Sequence, residues 1–253
     1  MLLQGEYNMK IGIIGASGKA GSLILQEAVR RGHQVTAIVR DPSKLKDMNV
    51  GVIEKNILDL TQDDVKQFEV VVNAFGAPLG EEQAHVDAGH VLIEALKGTN
   101  ARAITVGGAG SLYVDENKTV RLVDTPEFPD FVKPTAKGQG RNLQELQATT
   151  DIKWTFISPS AHFDAEGKRT GTYKSGKDHL LVNSKGESYI SYADYAIAVI
   201  DEIENPQHIN QRFTVVGEEL KDLSLDMNTS EGFICDMNTG MCGPVTKKKE
   251  GKE

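Results

Sequence analysis

The residues with the clearest chemical potential are three glycines spaced three apart, in Lys10-Ile-Gly-Ile-Ile-Gly15-Ala-Ser-Gly18-Lys-Ala-Gly21. An apolar run, Ile11 to Ile14, precedes them and reads as a buried strand, while Leu23, Ile24 and Ala28 follow at helical spacing. Strand, glycine loop and helix in that order give the pattern its meaning as a dinucleotide site. Gly15 lets the chain turn sharply off the strand. Gly18 removes a side chain that would hold a pyrophosphate off the backbone, and Gly21 lets the helix lie close to the sheet. The helix N-terminus then offers unpaired N–H groups and partial positive charge to phosphate. Ala16 and Ala20 complete the loop, with Ser17 adding a hydroxyl and Lys19 a cation. Flexible glycines in an ordinary strand–turn–helix are the plainer reading, and the surrounding pattern outweighs it.

A second signal lies at the end of the next β-branched run, Gln34 to Val39, where Arg40 and Lys44 stand. A site for a free ribose 2′-OH places Asp or Glu at this strand end, whereas arginine suits a 2′-phosphate. Arg40 therefore favours NADPH over NADH, with the competing possibility that Asp41 takes the ribose and Arg40 is merely solvated. Small residues recur after later apolar runs, as Ala74-Phe75-Gly76 and as Gly107-Gly108-Ala-Gly-Ser111-Leu-Tyr113, where a backbone can approach a cofactor. His162 follows the run Trp154 to Ile157 through Pro159-Ser-Ala, and reads as a pocket histidine or a plain loop histidine. His85 and His90 are five apart on a helix, off a common face, and no His-Glu-x-x-His occurs, so neither points to a metal; both read as structural or solvated.

The elements that must hold these groups alternate. Strand-like runs at 34–39, 51–55, 69–74, 101–106 and 154–157 are separated by helical patterns, the longest from about Glu81 to Lys97 and from Thr135 to Thr149. Alternation of this kind implies a doubly wound parallel sheet. Thr61 is placed to cap a short helix with Asp63 and Asp64 in its first turn, and Ser191-Tyr-Ala-Asp194 begins another helix. Beyond Pro159 the rhythm changes: Thr170 to Lys174 and Leu180 to Asn183 read as short strands of a small cap over the cofactor edge, and Arg212 to Val216 as a last strand. With 253 residues the chain has room for one α/β core over 9–217, including the cap, and a flexible C-terminal tail over 218–253. A net charge of -8 argues against a nucleic-acid-binding surface spread over the fold. The opening residues have no basic, apolar leader pattern and no run reaches membrane-spanning length, so a cytoplasmic protein is expected.

With these pieces placed, the chain resembles the atypical short-chain dehydrogenase/reductases that bind NAD(P)H, and among them the biliverdin reductase B-like proteins and bacterial NADH-flavin reductases. The likeness covers about Met9 to Val216 and rests on Gly15-Ala-Ser-Gly-Lys-Ala-Gly21, Ala37-Ile-Val-Arg40, Gly107-Gly-Ala-Gly-Ser-Leu-Tyr113, Ser158-Pro-Ser-Ala-His-Phe163 and Ile190-Ser-Tyr-Ala-Asp-Tyr195. The resemblance implies a Rossmann-like parallel sheet of six or seven strands and a nicotinamide cofactor, with Arg40 and Lys44 at the 2′-phosphate. It places Asn56 and Ile57 beside the adenine, with Asn where the family has an acid; a turn asparagine is the plain alternative. Gly15 to Ala20, Ala74, Phe75, Gly76, Gly107, Gly108 and Pro159 then face the cofactor, and Ser111, Tyr113 and His162 position the acceptor, with Phe163 a further wall of its pocket.

Short-chain dehydrogenases that reduce carbonyls carry Tyr-x-x-x-Lys, the lysine lowering the tyrosine pKa so that it can donate a proton. Here the helix after the fifth strand has no such pair, and the one match, Tyr173-Lys-Ser-Gly-Lys177, falls in the cap and reads as chance. The reading is an NADPH-preferring reductase of a flavin or quinone-like small molecule, the flavin being substrate and not a tightly held cofactor. Two alternatives stay open: a non-catalytic dinucleotide sensor, and a nucleotide-cofactor-dependent isomerase or epimerase. In the tail, Asp226-Met-Asn-Thr229 recurs as Asp236-Met-Asn-Thr239, and Cys235 and Cys242 flank a turn-prone Asn-Thr-Gly. Free thiols, a redox-switched disulfide and half of a metal site are the readings there, with free thiols leading in a reducing cytoplasm.

Overall fold

The computed structural model describes residues 8–45 and 49–220, with two short strands at 233–235 and 242–244. The chain divides into two compact units, 1–220 and 221–253. In the first unit, strands β1 (Lys10–Ile14), β2 (Gln34–Val39), β3 (Gly51–Glu54), β4 (Val70–Asn73), β5 (Arg102–Val106) and β6 (Lys153–Ser158) pair in parallel. They are joined through helices α1 (Lys19–Arg30), α2 (Gln62–Val65), α3 (Glu82–Leu96) and α4 (Lys133–Ala148). Next come β7 (His162–Asp164), β8 (Lys174–Gly176), β9 (Tyr189–Ser191), α5 (Tyr192–Glu204) and β10 (Gln211–Val216). The sheet has eight strands in the order β3-β2-β1-β4-β5-β6-β10-β8, so it exceeds the six or seven anticipated. The extra member is β8, which pairs antiparallel with β10.

Strand alternation explains why both faces are covered. Ile11 and Ile13 join Val70, Val72, Ile104 and Ile157 in a cluster with Leu25 and Ala28 of α1 and Val199 and Ile200 of α5. Ile14, Val71, Ala103, Trp154 and Phe156 point the other way, into Leu92 and Leu96 of α3 and Leu143 and Leu146 of α4. A strand buried on both sides has no polar face to spare, hence Ile11–Ile14 and Val70–Val72 as unbroken apolar runs.

Local signals act as their chemistry dictates. Asp64 accepts from the Thr61 amide at the start of α2, and Ser191 accepts from the Asp194 amide at the start of α5. The Asp194 carboxylate does not return to Ser191; it accepts from the amides of Thr170 and Gly171. The cap differs from expectation in its strands. Leu180 to Asn183 is not strand, the piece expected at Thr170 to Lys174 is displaced to Lys174–Gly176, and a two-stranded parallel pair joins β7 to β9. Such short strands depend on partners distant in sequence, so local composition specifies them poorly.

In the second unit, β11 (Phe233–Cys235) and β12 (Cys242–Pro244) form an antiparallel pair whose register sets Cys235 opposite Cys242. The Asp-Met-Asn-Thr copies and the charged end lie outside the described residues, as do the first seven residues.

Candidate functional site

The carboxyl ends of the parallel strands open into one cleft of about 490 Å³. Its lining follows the sheet order: Asn56 and Ile57 beyond β3, Arg40, Asp41 and Lys44 beyond β2, Gly15 to Ala20 beyond β1, Ala74 to Ala77 beyond β4, and Gly107 beyond β5. Phe163 and Tyr192 reach it from the cap, and Thr135 and Gln139 from α4. Strand order reverses between β1 and β4, and that switch point is where open α/β sheets bind ligands.

The glycine loop is shaped as its sequence suggested. Gly15 has φ +72°, and a Cβ there would lie 2.6 Å from the Ala74 carbonyl oxygen. A Cβ on Gly21 would run into the Gly15 carbonyl oxygen, so only glycine lets α1 begin this close to the turn. Gly18 is the N-cap; it supplies no side-chain cap, and no acidic residue stands in the first turn of α1. The protein therefore leaves the N–H groups of that turn, and their partial positive charge, for something else. Lys19, Arg40, Lys44 and Lys55 also line the cleft, against the single carboxylate of Asp41, in a chain of net charge -8. Lys55 is held by Asp64 at 2.6 Å, and Lys19 and Lys44 have only long contacts, 3.9 Å to Glu166 and 3.8 Å to Asp41. Such a basin suits phosphate groups.

Residues 15–206 match the NAD(P)H-binding family. The chain belongs to that family. As a member of the NAD(P)H-binding family it is 62% identical over 211 residues to YwnB, an uncharacterized protein of Bacillus subtilis (strain 168), covering 83% of this chain and 99% of that one. A Streptococcus pneumoniae TIGR4 protein provisionally assigned as an NADH-flavin reductase is 42% identical, with a TM-score of 0.77 over 83% of this chain and all (100%) of its own. A Bacteroides thetaiotaomicron protein provisionally assigned as an epimerase is 38% identical, with a TM-score of 0.76, covering 84% and 99%.

Of the residues singled out for the cofactor, Gly15, Ser17, Gly18, Lys19, Ala20, Arg40, Lys44, Asn56, Ile57, Ala74, Phe75, Gly76 and Gly107 line the cleft. Ala16, Gly108 and Pro159 do not. Ala16 is buried behind the loop, and Gly108 makes room for the Gln139 side chain. Asn56 spends its side-chain oxygen on the Leu58 amide at 3.2 Å, so its turn role and its place in the cleft coexist.

Ser111, Tyr113 and His162 all lie outside the lining. The Ser111 hydroxyl accepts from the Arg212 guanidinium at 3.2 Å, and Arg212 in turn donates to Asp178 at 2.9 Å. Tyr113 exchanges backbone bonds with Asp178 and Leu180 and faces a separate hollow with His179. These residues tie the loop after β5 to the cap and to β10. His162 is exposed and packs edge-on against Tyr189, while its neighbour Phe163 turns into the cleft. Tyr173 donates to Asp201 at 2.9 Å and lines a different hollow.

Sequence reasoning missed three groups. Tyr192 stacks obliquely on Phe163, with ring centroids 3.9 Å apart. Thr135 and Gln139 stand four apart on α4, the spacing of the missing Tyr and Lys, with neither chemistry. His85, read as structural or solvated, is buried on α3 and lines the cleft. Among the described residues no group of three or more His, Cys, Asp or Glu is placed to hold a metal, and no helix is long and apolar enough to cross a membrane.

Proposed function

We propose that this protein is an NADPH-preferring reductase that passes hydride to a flavin or quinone-like acceptor. The observation that carries the reading is the single cleft joining an uncapped helix N-terminus, Arg40 at one end with no carboxylate partner among the described residues, and the Phe163–Tyr192 aromatic pair at the other. The loop fits a pyrophosphate by its own geometry, because side chains on Gly15 or Gly21 would strike backbone. A bound nicotinamide dinucleotide supplies the hydride. The chain's share is to hold and orient. The α1 N–H groups and Lys19 receive the phosphates, Arg40 and Lys44 the 2′-phosphate, and Asn56 and Ile57 border the adenine. Phe163 and Tyr192 offer an aromatic wall to a conjugated ring, and stacking on it positions a planar acceptor with little reorganisation.

An acceptor that spreads the incoming charge over its ring needs no strong acid in the transition state, whereas an unactivated ketone does. The α4 residues facing the cleft, Thr135 and Gln139, are not such an acid–base pair, which also weighs against an isomerase or epimerase. The test is a screen of NADPH oxidation with FMN, riboflavin, quinones and small aldehydes, beside NADPH and NADH binding. Turnover with flavin or quinone and not with aldehydes is the expected pattern. Tight binding with no turnover on any acceptor would replace the reductase by a dinucleotide sensor.

A further inference from the structure

We propose that His85 and Thr135 form the polar side of the acceptor pocket, hydrogen-bonding the carbonyl and ring-nitrogen edge of a conjugated acceptor whose face lies on Phe163 and Tyr192. The assignment rests on the reductase reading. His85 is 8% exposed, and neither its Nε2 nor the buried hydroxyl of Thr135 has a hydrogen-bond partner among the described residues. Both residues line the cleft, whereas the other buried unpartnered polar atoms among the described residues, on Glu145, Ser158 and His179, do not. A buried polar group left unpaired is costly, so two on one cleft wall are sites for something that enters it.

Packing holds His85 in place. The Phe75 ring meets His85 edge-on, with centroids 5.6 Å apart and planes at 70°. On the other side a Cβ at Gly138 would sit 3.2 Å from the His85 Cβ and would strike the Glu82 carbonyl. Glycine at 138 thus lets α4 close on α3 where His85 leaves it, and Thr135 lies one turn earlier on α4. Burial pushes the His85 pKa below its ordinary 6.5, so the ring is neutral in physiological conditions. A neutral imidazole and a hydroxyl can each donate or accept. That versatility matches a mixed carbonyl and N–H edge, and suits an anionic group poorly; the cations that would meet phosphates are Lys19, Arg40, Lys44 and Lys55.

The test compares Thr135→Val, His85→Phe and His85→Gln with the wild type. FMN binding to the NADP⁺-saturated protein is read from flavin fluorescence, and FMN KM and NADPH Kd are measured in parallel. Thr135→Val and His85→Phe are each expected to weaken FMN roughly three- to tenfold, with NADPH Kd held within about twofold. His85→Gln should recover part of the loss, since an amide can replace a ring nitrogen. Thermal unfolding reports on folding; should His85→Phe melt early, the nearly isosteric Thr135→Val carries the comparison. Equal losses for FMN and NADPH would assign these groups to the dinucleotide and overturn the proposal, and so would unchanged FMN binding in both variants. A wild type that binds FMN on the NADP⁺ complex yet never oxidises NADPH defeats the reductase reading and leaves the pocket assignment standing.

Discussion

Asp41 turns its carboxylate onto Ser43, accepting from the Ser43 amide at 3.1 Å and from its hydroxyl at 2.6 Å. Those bonds hold the Asp41 pKa below the usual carboxylate value and commit the group to the turn after β2. Arg40, one residue earlier, is exposed and pairs with no carboxylate among the described residues. Of the two candidates for the ribose end, the one with a free side chain is the cation. Arg40→Glu is therefore expected to weaken NADPH roughly ten- to hundredfold more than NADH, the scale of one charged hydrogen bond. Parallel fluorescence titrations with the two cofactors decide it, and equal losses would place the 2′-phosphate elsewhere.

The glycines of the loop separate stability from binding. At Gly21 a Cβ would meet Gly15 backbone, including its carbonyl carbon at 2.8 Å, and backbone cannot swing aside as a side chain can. Gly21→Ala should cost about 2 kcal/mol and lower Tm by roughly 4–8 °C. At Gly18 the nearest atom would be 3.2 Å away, so alanine fits with a small adjustment but thickens the surface a pyrophosphate must approach. Gly18→Ala should keep its Tm and lose dinucleotide affinity. Thermal melts and binding titrations on both variants are enough, and the reverse pattern would refute this division.

Acid stability should depend on the clasp between α1 and α5. Burial alone would raise the Glu27 pKa, but hydrogen bonds from Arg30 and Arg31 and their charges outweigh it and hold the group at about 2. Arg31 extends the contact to Asp201 and Glu204, each at 2.7 Å. A carboxylate lowered from its ordinary 4.5 contributes fully above that pH and loses its contribution as pH falls from 4.5 towards 2. The contribution is of order 3 kcal/mol. Glu27→Gln should flatten the fall in unfolding free energy between pH 5 and 3, measured by urea denaturation in this range; an unchanged slope would assign acid sensitivity to other carboxylates.

What could be read from the sequence was what short-range chemistry decides. The β1–loop–α1 unit is encoded within twelve residues, Lys10 to Gly21, and each glycine has a contact that explains it. The cofactor half of the cleft was accessible for the same reason, since each of its residues follows a strand whose end is visible in the apolar pattern. Of the half proposed for the acceptor, Phe163 was accessible and the rest was not. Ser111 and Tyr113 sit in a long connection whose course is set by Arg212, a hundred residues on, in β10. His85 enters the cleft because Gly138 lets two helices close, a pairing with no local signature. Its helical register held a hint: four residues separate it from Gly89, which faces Asn142 of α4.

Proton supply is the sharpest test of the chemistry. Tyr192 is the tyrosine that lines the cleft, packed on Phe163. Burial, and then the nearby charge of Asp164, raise its pKa above the ordinary 10, so its hydroxyl is a weaker acid than that of a free tyrosine. A dehydrogenase relay does the opposite, using a lysine to lower that pKa. Tyr173, which does have a lysine four residues on, is engaged by Asp201 and has its pKa raised as well, by burial first. A true general acid contributes about 10²–10⁴-fold. Tyr192→Phe keeps the ring and should therefore lose no more than about threefold in kcat with FMN, far below that range. Tyr173→Phe should behave alike, and kcat should stay level from pH 6 to 9 in all three proteins, with solvent supplying the proton. Tyr192→Ala removes the stacking surface and should instead raise the FMN KM. A hundredfold loss of kcat in Tyr192→Phe would mean that its hydroxyl donates in the transition state, and the acceptor would then be sought among carbonyl compounds.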